Sequence, residues 1–280
     1  MTTFASSSSI ASSSSIVCST SNPSIKFVRS LRRRAVREES GQFFVEGIRA
    51  VAEAVQLGAE VEKLIAAPML LKSTLAQELI QQVSPSARLE VTSDVFRSLS
   101  AQENPQGIGA VVRQRGTELG TVQAELGLCW VALEAVQYPG NLGTVLRTSE
   151  AVGGAGVILL GQATDPYDPL CVRASMGAIF SQRIVRADLD AFQAWTRRSS
   201  GFVVGTSPSA ATDYQGISYP SPLVLLMGSE QHGLSAPLIT ACDHLVRIPM
   251  VGRCDSLNLA VSASTVLYEV FNQQRAVRDQ

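Results

Sequence analysis

Three short stretches of the chain hold residue types that could do chemistry. In "NLGTVLRTSE" (141–150), Asn141, Arg147 and Glu150 stand among residues otherwise spaced for packing. An arginine keeps its proton at neutral pH, since its pKa lies above about 12. What it offers is a planar fork of donors that grips a phosphate or steadies a developing oxyanion. A structural role is equally open: Asn141 could cap a helix and Arg147 could pair with Glu150. In "LLMGSEQHGLS" (225–235) an apolar run breaks into Gly228-Ser-Glu230. In "RIPMVGRCDSLNLAVSAS" (247–264) another breaks at Pro249 and reaches Ser256-Leu-Asn258. Loops of this kind leave backbone N–H and C=O groups unpaired, able to clasp a heterocycle without a charged side chain. Small and polar residues that end strands also mark the edge where open α/β sheets bind ligands.

Other chemistries fit poorly. His232 and His244 are the only histidines, there is no GxSxG elbow, and Cys242 with His244 has no further ligand nearby, so no metal site is expected. The five cysteines (18, 129, 171, 242, 254) form no CxxC pair and read as reduced thiols. Trp130 and Trp195 read as core residues. A dinucleotide loop also fails. "VALEAV" is followed by "QYPGNLG", which has Gly140 and Gly143 but no GxGxxG, and Gly153, Gly154 and Gly156 precede the next strand instead of following one.

These residues need a scaffold, and hydrophobic periodicity supplies one. Helical spacing in 48–59, 70–85 and 93–100 alternates with strand-like "QFFVEG", "VEKLIAAP", "RLEVTS" and "GIGAVVRQR". This predicts a small α/β unit over 23–115 with a largely parallel sheet. Residues 116–126 read as a linker. A second α/β domain, 127–280, has strands in "LCWVALEAV", "GVILLG", "QRIVRA", "GFVVGTS", "PLVLLMGSE" and "HLVRIPM". Its helices are expected in "PLCVRASMGAIF", "DAFQAWTRRSS" and a last stretch from Ser256.

The 280 residues are 45% hydrophobic and 17% charged, with a formal net charge of −1, as in ordinary globular chains. No apolar run is long enough to cross a membrane. The charge is unevenly placed: Lys26, Arg29, Arg32, Arg33, Arg34 and Arg37 fall within twelve residues that contain no acid, an expected phosphate-binding patch. Residues 1–22 are serine-rich with no charged group, which predicts disorder. A cytoplasmic location is expected, with a plastid or other organelle as the alternative if this segment is a transit peptide.

Three ordered motifs, "PGNLGTVLRTSEAVGGAGVILL", "LLMGSEQHGLS" and "IPMVGRCDSLNLAVSASTVLYE", with "VRASMGAIF" between the first two, resemble the SpoU branch of the SPOUT trefoil-knot RNA ribose methyltransferases. The region 24–115 is similar to a substrate-binding domain related to kink-turn-binding ribosomal proteins. The resemblance implies a mostly parallel sheet with a deep knot and S-adenosylmethionine as cofactor. The cofactor would be held at Gly228, Ile248 and Leu257, with Thr206, Leu226 and Met250 close by. It also implies methyl transfer to a ribose 2′-hydroxyl of structured RNA, ribosomal in preference to transfer RNA, by a homodimer. Arg147 would act as base or by stabilising charge, with Asn141, Glu230, Ser256 and Asn258 in support. The alternatives are a knotted RNA-binding protein without activity and methylation of a base.

Overall fold

The structure, a computed structural model, describes residues 16–278. The first unit contains helices α1 (Pro23–Ser30), α2 (Arg34–Ser40), α3 (Ile48–Gln56), α4 (Thr74–Gln82) and α5 (Ser93–Leu99). Its strands are β1 (Gln42–Glu46), β2 (Val61–Ala66), β3 (Arg88–Glu90) and β4 (Ile108–Arg113), in the order β1-β4-β2-β3. The expected largely parallel sheet is mixed instead. Crossovers through helices make β1, β2 and β3 run the same way, but β4 inserts between β1 and β2 antiparallel to both. Alternation of strands and helices implies parallel pairing only for strands that end up side by side; β3 and β4, joined through α5, are not neighbours, and β4 pairs instead with β1 and β2.

Part of the serine-rich segment is attached to this unit. The N–H of Val17 donates to Glu90 O, that of Thr92 to Val17 O, and the Asn22 side chain caps α1. Disorder expected over 1–22 therefore does not hold for 17–22, and residues 1–15 lie outside the described ones.

The second unit comprises β5 (Trp130–Glu134), α6 (Pro139–Ala151), β6 (Gly156–Leu160), α7 (Pro169–Ser175), β7 (Arg183–Ala187), α8 (Leu189–Ser199), β8 (Phe202–Thr206), β9 (Thr212–Asp213), β10 (Leu223–Met227), α9 (Ala236–Thr240), β11 (His244–Arg247) and α10 (Leu259–Arg278). Its seven strands, ordered β7-β6-β5-β10-β8-β11-β9, pair in parallel throughout. A parallel sheet needs helices on both faces, so its central strands are apolar along their length. β6 and β10 are buried at every residue. On one face Val131 and Leu133 of β5 pack with Leu142 and Leu146 of α6 and Val266 and Leu267 of α10. On the other, Trp130 and Ala132 pack with Phe192 and Trp195 of α8 and Leu238 of α9.

Residues 116–126, read as a linker, connect the two units in a packed form: Leu119, Val122 and Ala124 are buried against Trp130 and Trp195, whose indole N–H groups donate to Gln123 O and Val122 O. The helix expected over 169–180 ends at Ser175, where Met176 turns left-handed (φ 51) and Gly177 (φ 100) leads into a short 3-10 turn.

The two units share a continuous apolar core, with Phe43 of β1 against Tyr167 and Phe180 at centroid distances of 4.6 and 6.0 Å. At its rim lies a buried ion pair. Arg37 is 1% exposed and sends Nε to Asp165 Oδ2 (2.9 Å), Nη2 to the same oxygen (2.8 Å), and Nη1 to the carbonyls of Leu31 and Arg32. This corrects the assignment of Arg37 to an RNA-facing patch: its guanidinium joins the domains and faces no solvent.

Candidate active site

β8, β10 and β11 are neighbours in a parallel arrangement, so their carboxyl ends open on one edge of the sheet. The loops leaving them, with the segment before α10, enclose a cavity of about 860 Å³. Thr206, Gly228, Ile248, Met250 and Leu257 line it, together with Glu230, Ser256 and Asn258. Residues far apart in sequence thus meet because each ends an adjacent strand or opens the last helix. Leu226 differs: it lies inside β10, is fully buried, and packs in the core on the face of α8 and α9 instead of lining the cavity.

Two local features shape the cavity. The turn from Ser229 to Gly233 is closed by reciprocal backbone bonds of 3.0 and 3.1 Å. Gly228 lies so close beneath it that a Cβ there would meet Gly233 C at 2.1 Å, so only glycine fits. The loop 248–257 makes no backbone hydrogen bond among the described residues. Its apolar side chains are partly out in solvent: Met250 is 37% and Leu257 39% exposed. Such a loop offers both an apolar wall and free main-chain donors and acceptors.

A polar network ties the three motifs together. Asn141 Nδ2 donates to Glu230 Oε1 (3.0 Å), and the backbone N–H groups of Gln137 and Tyr138 donate to the same carboxylate (3.1 and 3.3 Å). Asn258 Nδ2 donates to Asn141 Oδ1 (3.0 Å), while Asn258 Oδ1 accepts from Ala260 N and caps α10. Asn141 therefore does not cap α6, which starts after Tyr138. Partial burial opposes ionisation of Glu230, but the bonds from Asn141, Gln137 and Tyr138 outweigh it and hold the carboxyl below its usual range. Among the described residues the Ser256 hydroxyl bonds only to its neighbour Asp255.

Arg147 is exposed on α6, makes no ion pair or side-chain hydrogen bond among the described residues, and does not line the cavity of its own chain. The pairing with Glu150 that the sequence left open is not formed among the described residues. The adjacent Thr148 hydroxyl meets that of Ser264 at 2.9 Å, which docks α6 on α10. Gly143 permits the other close packing of α6, since a Cβ there would come 2.4 Å from Cys171 O on α7.

Of the basic run, Lys26 and Arg33 are exposed; Arg34 is exposed but paired with Glu38 (2.7 Å). Arg29 donates to Ser98 Oγ, and Arg32 to the carbonyls of Leu99 and Ser100 at the end of α5. Sequence reasoning missed the cavity's His232, Asp255 and Arg247, the last paired with Asp213 at 2.7 Å. No local pattern links residues 213 and 247; pairing of β9 with β11 brings them together.

A doubly covered parallel sheet, with three strand-end loops around one cavity and an Asn-Glu-Asn network beneath it, defines an α/β enzyme of the SPOUT methyltransferase class. The SpoU rRNA Methylase family matches residues 129–268, and an MRM3-like substrate binding domain matches residues 22–110. The chain belongs to the SpoU rRNA Methylase family. It is 33% identical over 253 residues to a 23S rRNA (uridine(2479)-2′-O)-methyltransferase of Streptomyces viridochromogenes, covering 87% of each chain. It is 27% identical to the 23S rRNA (guanosine(2553)-2′-O)-methyltransferase RlmP of Bacillus subtilis, covering 90% of this chain and 97% of that one. The AdoMet-bound rRNA methyltransferase from Sinorhizobium meliloti superposes with a TM-score of 0.84 at 36% identity, over 92% of this chain and 97% of the other.

Proposed function

We propose that the protein transfers a methyl group from S-adenosylmethionine to a ribose 2′-hydroxyl of ribosomal RNA. The observation that carries this reading is the convergence of Gly228, Ile248 and Leu257 on one strand-end cavity, in a chain of the SpoU family. The cavity fits the donor: unpaired main chain in 248–257 can meet an adenine edge, Met250 and Leu257 can cover its faces, and Glu230 and Asp255 supply negative charge for a cationic ligand. When bound, the donor supplies an electrophilic methyl on a positively charged sulfur. The chain's own residues then do the positioning. Glu230 and Asn258 hold Asn141 from two sides, so the start of α6 cannot drift relative to the cavity. Alignment of this kind contributes several kcal/mol to a bimolecular transfer.

The site is completed, in this reading, by a second copy of the chain. Arg147 is exposed and does not line its own cavity, and α10, which docks on α6 through Thr148 and Ser264, leaves Val261 and Tyr268 50% and 49% exposed. A two-fold interface on this face would carry Arg147 to the partner's cavity, where its guanidinium stabilises the developing alkoxide and holds the adjoining phosphate. The knotted threading of the strand-end loops belongs to the same proposal.

Incubation with tritiated donor and an unmodified 23S rRNA transcript tests the function. Incorporation that disappears when the target nucleotide is 2′-deoxy supports ribose methylation; incorporation that persists there refutes it. Mixing Arg147→Ala protein with Asn258→Ala protein tests the shared site: activity returns in mixed dimers if each subunit lends Arg147 to the other, and stays absent if it does not.

A further inference from the structure

A second cavity, of about 370 Å³, lies where the two domains meet and shares no residue with the strand-end cavity. Its floor is apolar: Leu31, Leu99 and Val172 are buried there, with Phe44 and Tyr167 half-buried beside them. Its rim is cationic. Arg32, Arg49 and Arg173 line it against a single carboxylate, Glu46, which is already committed to Ser100 Oγ and the N–H of Ala101. Arg32 is spent on the carbonyls of Leu99 and Ser100. Arg49, from the first domain, and Arg173, from α7 of the second, are exposed and have no ion pair or side-chain hydrogen bond among the described residues. Asp165 and Asp168 do not line the cavity, and both face Arg37.

Two side-chain amides complete the wall. Gln106 Oε1 accepts from Ile48 N, which leaves its Nε2 free, and the Gln102 amide has no partner among the described residues. Met176 projects at the rim, 39% exposed, from a left-handed backbone. Flat apolar floor, amides at the side and guanidiniums at the mouth is the recognition chemistry of an unstacked RNA base with its phosphate. The volume lies within the range of small-ligand pockets, about 300–1,000 Å³. A protein segment would use the floor but leave two unpaired arginines and two amides unanswered.

We propose that this junction cavity takes one unstacked nucleotide of the substrate RNA, distinct from the nucleotide methylated, with its phosphate between Arg49 and Arg173. The proposal rests on the RNA methyltransferase reading above. It makes the junction a second grip that fixes RNA relative to both domains at once, because one arginine comes from each.

The test uses the full chain and an unmodified 23S rRNA transcript. Arg49→Gln and Arg173→Gln remove exposed charge without touching the core, and Ala101→Trp fills the exposed rim. Each is expected to raise KM for RNA about tenfold, with kcat at saturating RNA and affinity for S-adenosylmethionine unchanged. Each arginine variant should also lower the salt slope of RNA binding by about 0.7. Arg198→Gln, on α8, is the control and should change neither. A transcript carrying 4-thiouridine, photo-crosslinked to the wild-type protein, should label peptides covering 44–50, 101–106 or 167–176. The proposal is overturned if KM and salt slope stay at wild-type values in all three variants, or if cross-links fall only elsewhere. Saturable binding of free nucleoside monophosphates that leaves RNA binding unaffected would also overturn it, by assigning the cavity to a small molecule. Failure of the wild-type protein to methylate any RNA would instead sink the function itself.

Discussion

Breaking the Arg37–Asp165 pair is expected to be the most damaging single change outside the strand-end cavity. Both side chains are almost sealed from solvent, 2% and 8% exposed, and 128 residues separate them. Arg37→Met keeps the length of the side chain but strands the Asp165 carboxylate, whose remaining bond is to Tyr167 N (2.9 Å). Removing one partner of a buried pair typically costs about 3–5 kcal/mol, because a charge is left buried without compensation. For a protein of this size each kcal/mol lowers Tm by about 2–4 °C, so the expected fall is roughly 6–20 °C. Asp165→Asn alone should cost less, because Asp168 Oδ2, 3.7 Å from Arg37 Nη2, still faces the guanidinium. The double variant Arg37→Met/Asp165→Asn should recover part of the loss, since no isolated charge remains. Thermal melts of the four proteins, with Arg34→Ala as the exposed-pair control, make the assay. Arg34 and Glu38 are more than half exposed, and such pairs contribute at most about 1 kcal/mol. If Arg37→Met melts no lower than Arg34→Ala, the inference that this arginine bolts the domains together is wrong.

Further outcomes follow from the site. Asn258→Ala removes the bond to Asn141 and the cap on α10, and should weaken donor binding by about 5- to 150-fold in calorimetry. Gly228→Ala should abolish binding of the donor, because its methyl would occupy the space of the Gly233 backbone; retained affinity would contradict the turn geometry. Glu230 has a folded-state pKa below its unfolded value, so its stabilising contribution is present above the unfolded pKa and lost as pH falls through the folded one. Donor affinity should therefore hold through pH 5 and decline only below the ordinary glutamate value of about 4.3; a midpoint nearer neutrality would refute the assignment. Burial pushes the Cys129 thiol up to about 12 and the Cys171 thiol up as well, whereas Cys18 and Cys254 are exposed. Iodoacetamide should label Cys18 and Cys254 in the native protein, and Cys129 and Cys171 only after unfolding.

Much of the architecture could be read from the chain alone, because its causes are local or periodic. The apolar runs of β5, β6 and β10 announce strands buried on both faces, and their alternation with helices implies the parallel sheet that forms. Asn141, Glu230 and Asn258 stand out because each interrupts an apolar pattern where packing has no use for a polar group. What escaped the sequence depends on partners distant along the chain. A basic run looks solvated until Asp165 arrives to bury Arg37, and nothing within 128 residues signals that encounter. Whether β4 runs with or against its neighbours, whether 116–126 dangles or seals two tryptophans, and whether Arg147 meets its own cavity are likewise set by tertiary placement. Periodicity tells each segment which face to bury; only the assembled fold decides what it is buried against.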